Sequence, residues 1–493
     1  MGRISFFKGV VFGGGWYKGG MSNCCLISVP QADSSFETLD RPMADWTARL
    51  TAGLNRSVQA HDQTLGHLEE EILQQTRGLE RQLLQEAAQK KADQSPPVCP
   101  ICGHKLTRRT QDHERTYQTR FGPVTIRRMR GWCRKCRAWY FPADHVLGLS
   151  DTGSASPSVQ EMAALVASKM PVQEASAVIE RLTGVKLPTA TLDREARRQG
   201  RRAEQKRGEL DAQMCGGQGV DQVLPLPETP FTLVIELDAW NIRERDDWGD
   251  STKRRADGHE PQRWHWVYGG TCFRLDQRVE NDRGRPQLLS RGTVMTRTGV
   301  EGLREQIFAE AQRHGLSQAA KVLVVADGAV WIWNLTGDRF PGAHERLDYY
   351  HASQHLWAVA HALHPEDVAA ARMWVEPMLK KLKNGRAPAL LNDLRSLAKR
   401  LRNKKRRSVA AEVAYLESHR HRLDYAAARR ANEPQGSGAM ESTCRQYQCR
   451  FKRPGQFWSC TGDEALMCLE TFWRNNRWHV LFPHVTHTNP HKN

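Results

Sequence analysis

The sequence predicts a mixed α/β fold, and two strand-like stretches with the segment between them carry that prediction. Phe231-Thr-Leu-Val-Ile-Glu-Leu237 is a short apolar run suited to a sheet buried on both faces, and Asp238 follows it. Lys321-Val-Leu-Val-Val-Ala326 repeats the arrangement, ending in Asp327 and Gly328. Between them lie a strand-like Trp264–Arg274, a candidate strand at Leu288–Thr296 and a helical pattern at Val300–His314. Open α/β sheets carry their chemistry at the carboxyl ends of strands, where two carboxylates can share divalent metal ions. Each aspartate also fits a plain strand-ending turn.

The chain has 493 residues, room for roughly three domains. Lys and Arg outnumber Asp and Glu by 72 to 55, a net charge of +17. That balance makes nucleic acid the first polyanionic partner to consider. No run approaches the roughly 18 apolar residues of a membrane span. Phe6, Phe7, Val10, Val11 and Phe12 are interrupted by Lys8 and glycines, which is not a signal-peptide layout. Residues 1–42 are expected to be a disordered leader or an overextended start, with Met21 or Met43 as alternative starts. Twelve cysteines, scattered apart from two Cys-x-x-Cys pairs, suit a reducing compartment.

Residues 43–94 form an N-terminal helical region. Leu65, Leu68, Ile72, Leu79 and Leu83 recur at helical spacing within a pattern running from Ala44 to Ala92, either an ordinary surface helix or one used for self-association. Ser95-Pro-Pro97 ends it. Residues 95–150 hold Cys99-Pro-Ile-Cys102 and Cys133-Arg-Lys-Cys136 around an alternating, strand-like Thr116–Arg130. Four thiolates so spaced suit one tetrahedral Zn²⁺, which would stabilise a zinc-ribbon-like β module too small for much core. His104 is an alternative ligand.

Residues 151–210 read as three helices. Ser158-Val-Gln-Glu161 looks like a capping box, Pro171 opens the second helix, Thr183-Gly184 turns the chain, and Pro188-Thr189 opens the third. The third carries Arg194, Arg197, Arg198, Arg201 and Arg202. This is the outline of a helix-turn-helix DNA-binding domain, although a generic helical bundle fits the same pattern.

Residues 228–364 would form a sheet-based core, whose strand, hairpin strands, helix, strand order is how a ribonuclease-H-like sheet begins. A short strand is expected around Glu345–Tyr350 and a helix over His351–His364. Residues 365–431 are helical, and Lys380–Arg407 carries twelve Lys and Arg against the single acid Asp393. With leucines spaced among those charges, including Lys404, Lys405, Arg406 and Arg407, it reads as a solvated face or as a surface for a DNA backbone. Residues 432–480 open with Gly436-Ser-Gly-Ala-Met-Glu441, a glycine-marked loop entering a helix.

At these motifs the chain resembles the DDE transposases of bacterial insertion sequences, most closely the Kra group (ISKra), itself similar to the Mutator-like group. The resemblance is carried by Ile235-Glu-Leu-Asp238-Ala-Trp240, by Val324-Val-Ala-Asp327-Gly-Ala-Val-Trp331-Ile-Trp333, and by Gly436–Glu441 continuing through Arg450-Phe-Lys-Arg453 to Trp458. Leu347-Asp348-Tyr-Tyr-His351 is similar to that family's Cys/Asp-x-x-His element. The resemblance implies a ribonuclease-H-like catalytic domain with a helical insertion, and Asp238, Asp327 and Glu441 as a triad holding Mg²⁺ or Mn²⁺. Glu433, Glu464 and Glu470 are rivals for the third position. Asp348 and His351 would place the scissile phosphate, or be an ordinary strand-end Asp and packed His. Arg445 would steady Glu441 or touch a phosphate. Trp331 and Trp333 suit core packing or base stacking.

The implied function is binding of terminal inverted repeats, then metal-dependent strand cleavage and transfer, by a homo-oligomer on double-stranded DNA. Such a protein is expected in the bacterial cytoplasm, associated with the nucleoid. The alternatives are a non-catalytic DNA-binding regulator derived from a transposase and a nuclease of the same fold.

Overall fold

The computed structural model of the chain describes residues 40–60, 62–150, 153–217, 225–245, 263–459 and 461–484. The leader expected over residues 1–42 lies almost wholly outside them. Two compact units are distinguished, Met1–Leu79 and Glu80–Asn493. No helix among the described residues is long and apolar enough to cross a membrane.

The N-terminal pattern forms two helices, α1 (Asp40–Gln59) and α2 (Leu65–Asp93), instead of one. The break falls at Thr64, whose backbone N–H and hydroxyl both bond to His67 Nδ1, at 3.0 and 3.1 Å, and start a new helix. Leu65 and Ile72 of the expected apolar stripe are exposed.

The second unit opens with a hairpin of β1 (Thr107–Thr119) and β2 (Gly122–Cys133), joined at its edge by β3 (Ala138–Tyr140) and followed by a short α3 (Pro142–Val146). Amides from α2 complete the hairpin's edge. Gln85 and Gln89 accept the backbone N–H groups of Thr125 and Arg127, both at 2.9 Å. Ala88 and Ala92 pack there on Tyr117, Val124 and Ile126.

Helices α4 (Pro157–Lys169), α5 (Val172–Thr183) and α6 (Thr189–Cys215) follow. The cap of α4 is Ser156, which accepts from Val159 N with Pro157 at the first helical position, and not the expected Ser158. Glu161, the presumed capping partner, is buried and accepts the Trp478 indole N–H at 2.8 Å. These three helices share one hydrophobic core with the C-terminal helices, in which Leu192, Ala196 and Ala203 join Tyr447, Leu466 and Phe482.

The central sheet contains β4 (Thr232–Glu244), β5 (Arg263–Arg274), β8 (Gly292–Thr296), β9 (Lys321–Ala326) and β10 (His344–Leu347), with a small ribbon of β6 (Arg278–Glu280) and β7 (Pro286–Leu288) beside it. Its order is β10-β9-β4-β5-β8. β4, β5 and β8 are antiparallel, whereas β9 and β10 run parallel to β4. α7 (Gly299–Arg313) and α8 (Val330–Arg339) supply the crossovers and cover one face over Leu233, Ile235 and Leu237. α14 (Gly438–Phe451) covers the other face, over Val234 and Trp240.

Between β10 and α14 stand α9 (Tyr349–Leu363), α10 (Val368–Lys383), α11 (Ala387–Arg400), α12 (Asn403–Ser418) and α13 (Tyr425–Arg430). They have their own core, with Leu356, Val375, Leu390, Leu394 and Leu416 wholly buried. The chain closes with α15 (Gly462–Arg474) and α16 (Trp478–Leu481).

The contact between α6 and α15 depends on a missing side chain. A Cβ on Gly200 would lie 2.6 Å from the Ala465 Cβ and 2.7 Å from its carbonyl oxygen, and a backbone atom cannot swing aside. Gly200→Ala is therefore expected to destabilise the fold by about 1–3 kcal/mol through overpacking, despite alanine's better helix propensity. Thermal unfolding beside Gly208→Ala, which meets nothing within 4 Å, is the check.

Candidate functional site

Asp238 does not end its strand as expected. β4 continues six residues past it to Glu244, paired with β5 throughout, but the parallel neighbour β9 stops at Ala326 opposite Leu237. Asp238 therefore sits where the sheet loses a strand, and Asp327 is the first residue after that strand. Each aspartate turns one oxygen to nearby backbone. Asp238 Oδ1 accepts from Ala239 N at 2.7 Å and Asp327 Oδ1 from Ala329 N at 2.9 Å.

The third carboxylate comes from the first turn of α14. Asp238, Asp327 and Glu441, with Asp348 and His351, line one open cavity of about 380 Å³. The three rivals for the third position are occupied elsewhere. Glu433 pairs with Lys321 and Arg346, Glu464 with Arg207, and Glu470 with Lys169 and Arg474.

Among the described residues, no Lys or Arg lines the cavity. Burial pushes the Asp238 carboxyl above its ordinary range; the Ala239 N–H opposes this, and the charge of Asp327 adds to the rise. A cluster of carboxylates with no lining cation is an oxygen donor set suited to a hard divalent ion. The carboxylates are not gathered as tightly as such an ion requires. Among the described residues, the sets whose ligand atoms lie within 4.8 Å of one another are Cys99/Cys102/Cys133/Cys136 and Cys272/Glu310/His314. Glu441 is instead turned to Arg445, 2.5 Å away, in an ion pair exposed on both sides. Such a pair stabilises by no more than about 1 kcal/mol, so swinging Glu441 inward costs little.

The N-terminus of α14 is fastened to the sheet by two buried carboxylates. Glu236 Oε2 accepts the Met440 N–H at 2.7 Å. Asp348 caps α9 by accepting from Tyr350 N and His351 N at 2.6 and 3.1 Å. Its other oxygen accepts from the Ser437 N–H and hydroxyl at 2.6 and 2.8 Å. Gly436 permits that approach, since a Cβ there would stand 3.0 Å from the Asp348 carboxylate. Sequence reasoning singled out Asp348 but missed Glu236, which reads as one residue of a strand. Burial, opposed by the Met440 N–H, raises the Glu236 carboxyl to about 8.

Tyr415 reaches in from the insertion, its hydroxyl against Gly328. Trp331 and Trp333 are partly buried in the core. Trp331 stands edge-on to Tyr268, and the Arg422 guanidinium lies 4.1 Å over Trp333.

The expected metal cysteines converge. Cys99 and Cys136 sulfurs are 3.8 Å apart, and those of Cys102 and Cys133 3.5 Å. A tetrahedral ion with Zn–S bonds of about 2.3 Å has sulfurs roughly 3.8 Å apart, so the set fits zinc. His104 bonds to the Cys102 carbonyl and is outside the set. In the buried Cys272/Glu310/His314 set, Arg313 and Arg477 already neutralise Glu310, which marks it as a polar core network and not a cation site.

The basic residues divide. Arg194 and Arg201 are exposed on α6, while Arg197 is held by Asp193 and Ser459 and Arg198 by Glu195 and Ser150. Lys404, Lys405, Arg406 and Arg407 are all exposed at the start of α12, with Leu390, Leu391 and Leu394 of the preceding helix turned into the core.

Two expectations follow. Purified protein should carry one zinc per chain by elemental analysis, and Cys102→Ser/Cys133→Ser should lose it and become protease-sensitive within 95–150 while the central sheet stays folded. Glu236→Ala leaves a buried N–H unpaired, costing about 1–3 kcal/mol, whereas Glu236→Gln keeps an acceptor. With its carboxyl raised from 4.5 to about 8, Glu236 contributes stability that is fully present below pH 4.5 and lost as pH rises through about 8. Melting temperatures across that window should fall more steeply for wild type than for Glu236→Gln.

No family model matches the chain. It is 24% identical over 368 residues to the UPF0236 protein in the vanSb 3′ region of Streptococcus gallolyticus, covering 73% of each chain. Among solved structures it is similar to the Drosophila P element transposase strand transfer complex, at 10% identity and a TM-score of 0.30, over 66% of this chain and 93% of that one. A likeness of that degree carries neither fold nor chemistry to this chain.

Proposed function

We propose that this protein is a DDE-type transposase that binds the terminal inverted repeats of its element and cleaves and joins DNA strands with Mg²⁺ or Mn²⁺. The observation that carries the reading is the convergence of Asp238, Asp327 and Glu441, 89 and 114 residues apart in sequence, on one acidic cavity while every rival glutamate is paired elsewhere. The sheet supports it. Three antiparallel strands continued by two parallel ones, with the third acid on a helix packed across the face, is a ribonuclease-H-like arrangement, here carrying a helical insertion between β10 and α14.

In this reading the triad holds the metal, with Asp348 and His351 beside it. Divalent ions bound there supply activation of a water or 3′-hydroxyl and stabilisation of the departing 3′-oxygen. The chain's own residues set the geometry: Glu236 and Asp348 fix the helix that delivers Glu441, and the Arg445 pair releases Glu441 toward the cavity. The zinc module, the exposed Arg194 and Arg201 of α6 and the basic start of α12 bind the DNA backbone, and paired ends call for a homo-oligomer.

The test is cleavage and strand transfer on DNA bearing the element's own ends, with Mg²⁺ or Mn²⁺. Asp238→Asn, Asp327→Asn and Glu441→Gln are each expected to lower cleavage by about a thousandfold or more, as loss of a metal ligand removes several kcal/mol of charge stabilisation, while end binding persists. A wild type that binds ends and never cuts would favour the non-catalytic regulator. Full activity of Glu441→Gln would remove it from the triad.

A further inference from the structure

Past Asp238 the sheet narrows to a ribbon of β4 and β5 alone, since β9 pairs with β4 only as far as Leu237 and β8 with β5 only as far as Tyr268. One face of the ribbon is core, with Trp240, Ile242 and Val267 buried among the C-terminal helices. The other face carries two indoles two residues apart, Trp264 and Trp266, 52% and 55% exposed. Large aromatics are seldom left so open in pairs, and neither has a place in the core or the acidic cavity.

Cations surround them. Arg243, directly across the ladder from Trp264, holds its guanidinium 4.7 Å over that ring, and Lys452 Nζ lies 5.7 Å from it. Lys452 also donates to Asn241, the partner of Trp266 across the ladder, at 3.2 Å. Among the described residues the nearest acid on the ribbon, Glu244, points to the other face, where Arg297 pairs with it. The ribbon is held stiff, its end clamped by backbone bonds between Arg243 and Trp458 and between Trp458 and Arg245, at 3.1 and 2.8 Å.

We propose that Trp264 and Trp266, with Arg243 and Lys452, form a platform for unpaired nucleobases of a DNA strand, the indoles stacking on bases and the cations meeting the adjoining phosphates. Aromatic rings interleaved with cations on a rigid strand surface match single-stranded nucleic acid, because every base offers a π face and every nucleotide a phosphate. An apolar protein partner would leave both cations desolvated without a counter-charge. The ladder position of Trp266 is three residues beyond Asp238, roughly 10 Å along the strand, a span of about three stacked nucleotides. The odd register puts the indoles on the opposite face of β4 from the Asp238 side chain, which meets Cys444 of α14, so the platform shares the end of the sheet with the acidic cavity but not its face. This inference rests on the DNA-processing reading above.

The test uses the full chain and a 20-mer oligonucleotide, single-stranded or annealed, with 2-aminopurine at successive positions and no added Mg²⁺. Wild type is expected to bind the single strand and quench 2-aminopurine at one or two adjacent positions. Trp264→Ala/Trp266→Ala should weaken single-strand binding about tenfold or more and abolish the quench, while duplex binding changes by less than about threefold. Trp264→Phe/Trp266→Phe, which keeps a stacking face and stands in if the alanine pair fails to fold, should retain most of both. Unchanged single-strand affinity, or equal losses on both forms of DNA, would overturn the platform while leaving the transposase reading intact. So would sedimentation showing that the alanine pair only dissociates a wild-type oligomer, which would make the face a contact between copies. A wild type that binds neither form overturns both readings at once.

Discussion

The placement of one helix terminus governs everything else at this site. Glu441 comes from the start of α14, and a helix start has unpaired backbone N–H groups that must find acceptors. Here Glu236 takes the N–H of Met440, while Asp348 takes that of Ser437 just ahead of the helix. Both acceptors are acid side chains buried to within a few per cent. The fastening by Glu236 is geometric, since burial raises its carboxyl to about 8 and leaves it largely uncharged at neutral pH. Because Asp348 also caps α9, one side chain ties the entrance and exit of the helical insertion together. The insertion can thus be long without loosening the acid that follows it.

The same logic links the basic helix to the one that carries Glu441. α6 is not an appended arm. It lies along α15, with Arg207 paired to Glu464 at 2.8 Å and Arg197 to Ser459 at 2.9 Å. The α4 end is fastened similarly, its Ala167 carbonyl accepting from Arg450 of α14 at 2.9 Å and its Lys169 pairing with Glu470. A force applied to α6 by a bound duplex would therefore reach α14 through side-chain pairs and shared apolar packing. This arrangement also consumes arginines. Of the five arginines on α6 from Arg194 to Arg202, Arg197 and Arg198 are spent on internal pairs and Arg202 donates to the Leu481 carbonyl, leaving Arg194 and Arg201 facing solvent.

Much of this was legible in the sequence, for identifiable reasons. The two apolar runs could only be buried strands, and the acids that follow them had to lie at one sheet edge once the strands were parallel neighbours. The cysteine pairs announced their cluster by spacing alone. What stayed hidden depended on contacts distant in sequence. Glu236 meets Met440 across 204 residues, so nothing local distinguishes it from any polar residue in a strand. The first strand was read as ending at Asp238 because its apolar run ends there, whereas β5 continues to support it. Ser158 and Glu161 had the right spacing for a capping box, but Pro157 is preferred at the first helical position, which moves the cap back to Ser156. A run of Lys and Arg tells the net charge of a surface, not which members its own acids will hold.

The electrostatics of the chain pull in opposite directions, and this constrains how the site can work. The protein as a whole carries +17, and its exposed basic positions on α6 and α12 attract a phosphate backbone over distances of a Debye length or so. Among the described residues the cavity presents carboxylates and no lining cation, so a phosphodiester drawn to the protein would meet like charge at the last few ångströms. Burial makes that repulsion worse, because screening by water is weaker where Asp238 sits. Placing arginines in the cavity would attract the phosphate but would also pair off the acids, as Arg445 does with Glu441 at its rim. Divalent cations would resolve the conflict, since they would satisfy the carboxylates and leave positive charge to spare for the phosphate. A weak, exposed Glu441–Arg445 pair is compatible with that, since it would hold the third carboxylate at the rim without competing strongly with a metal for it.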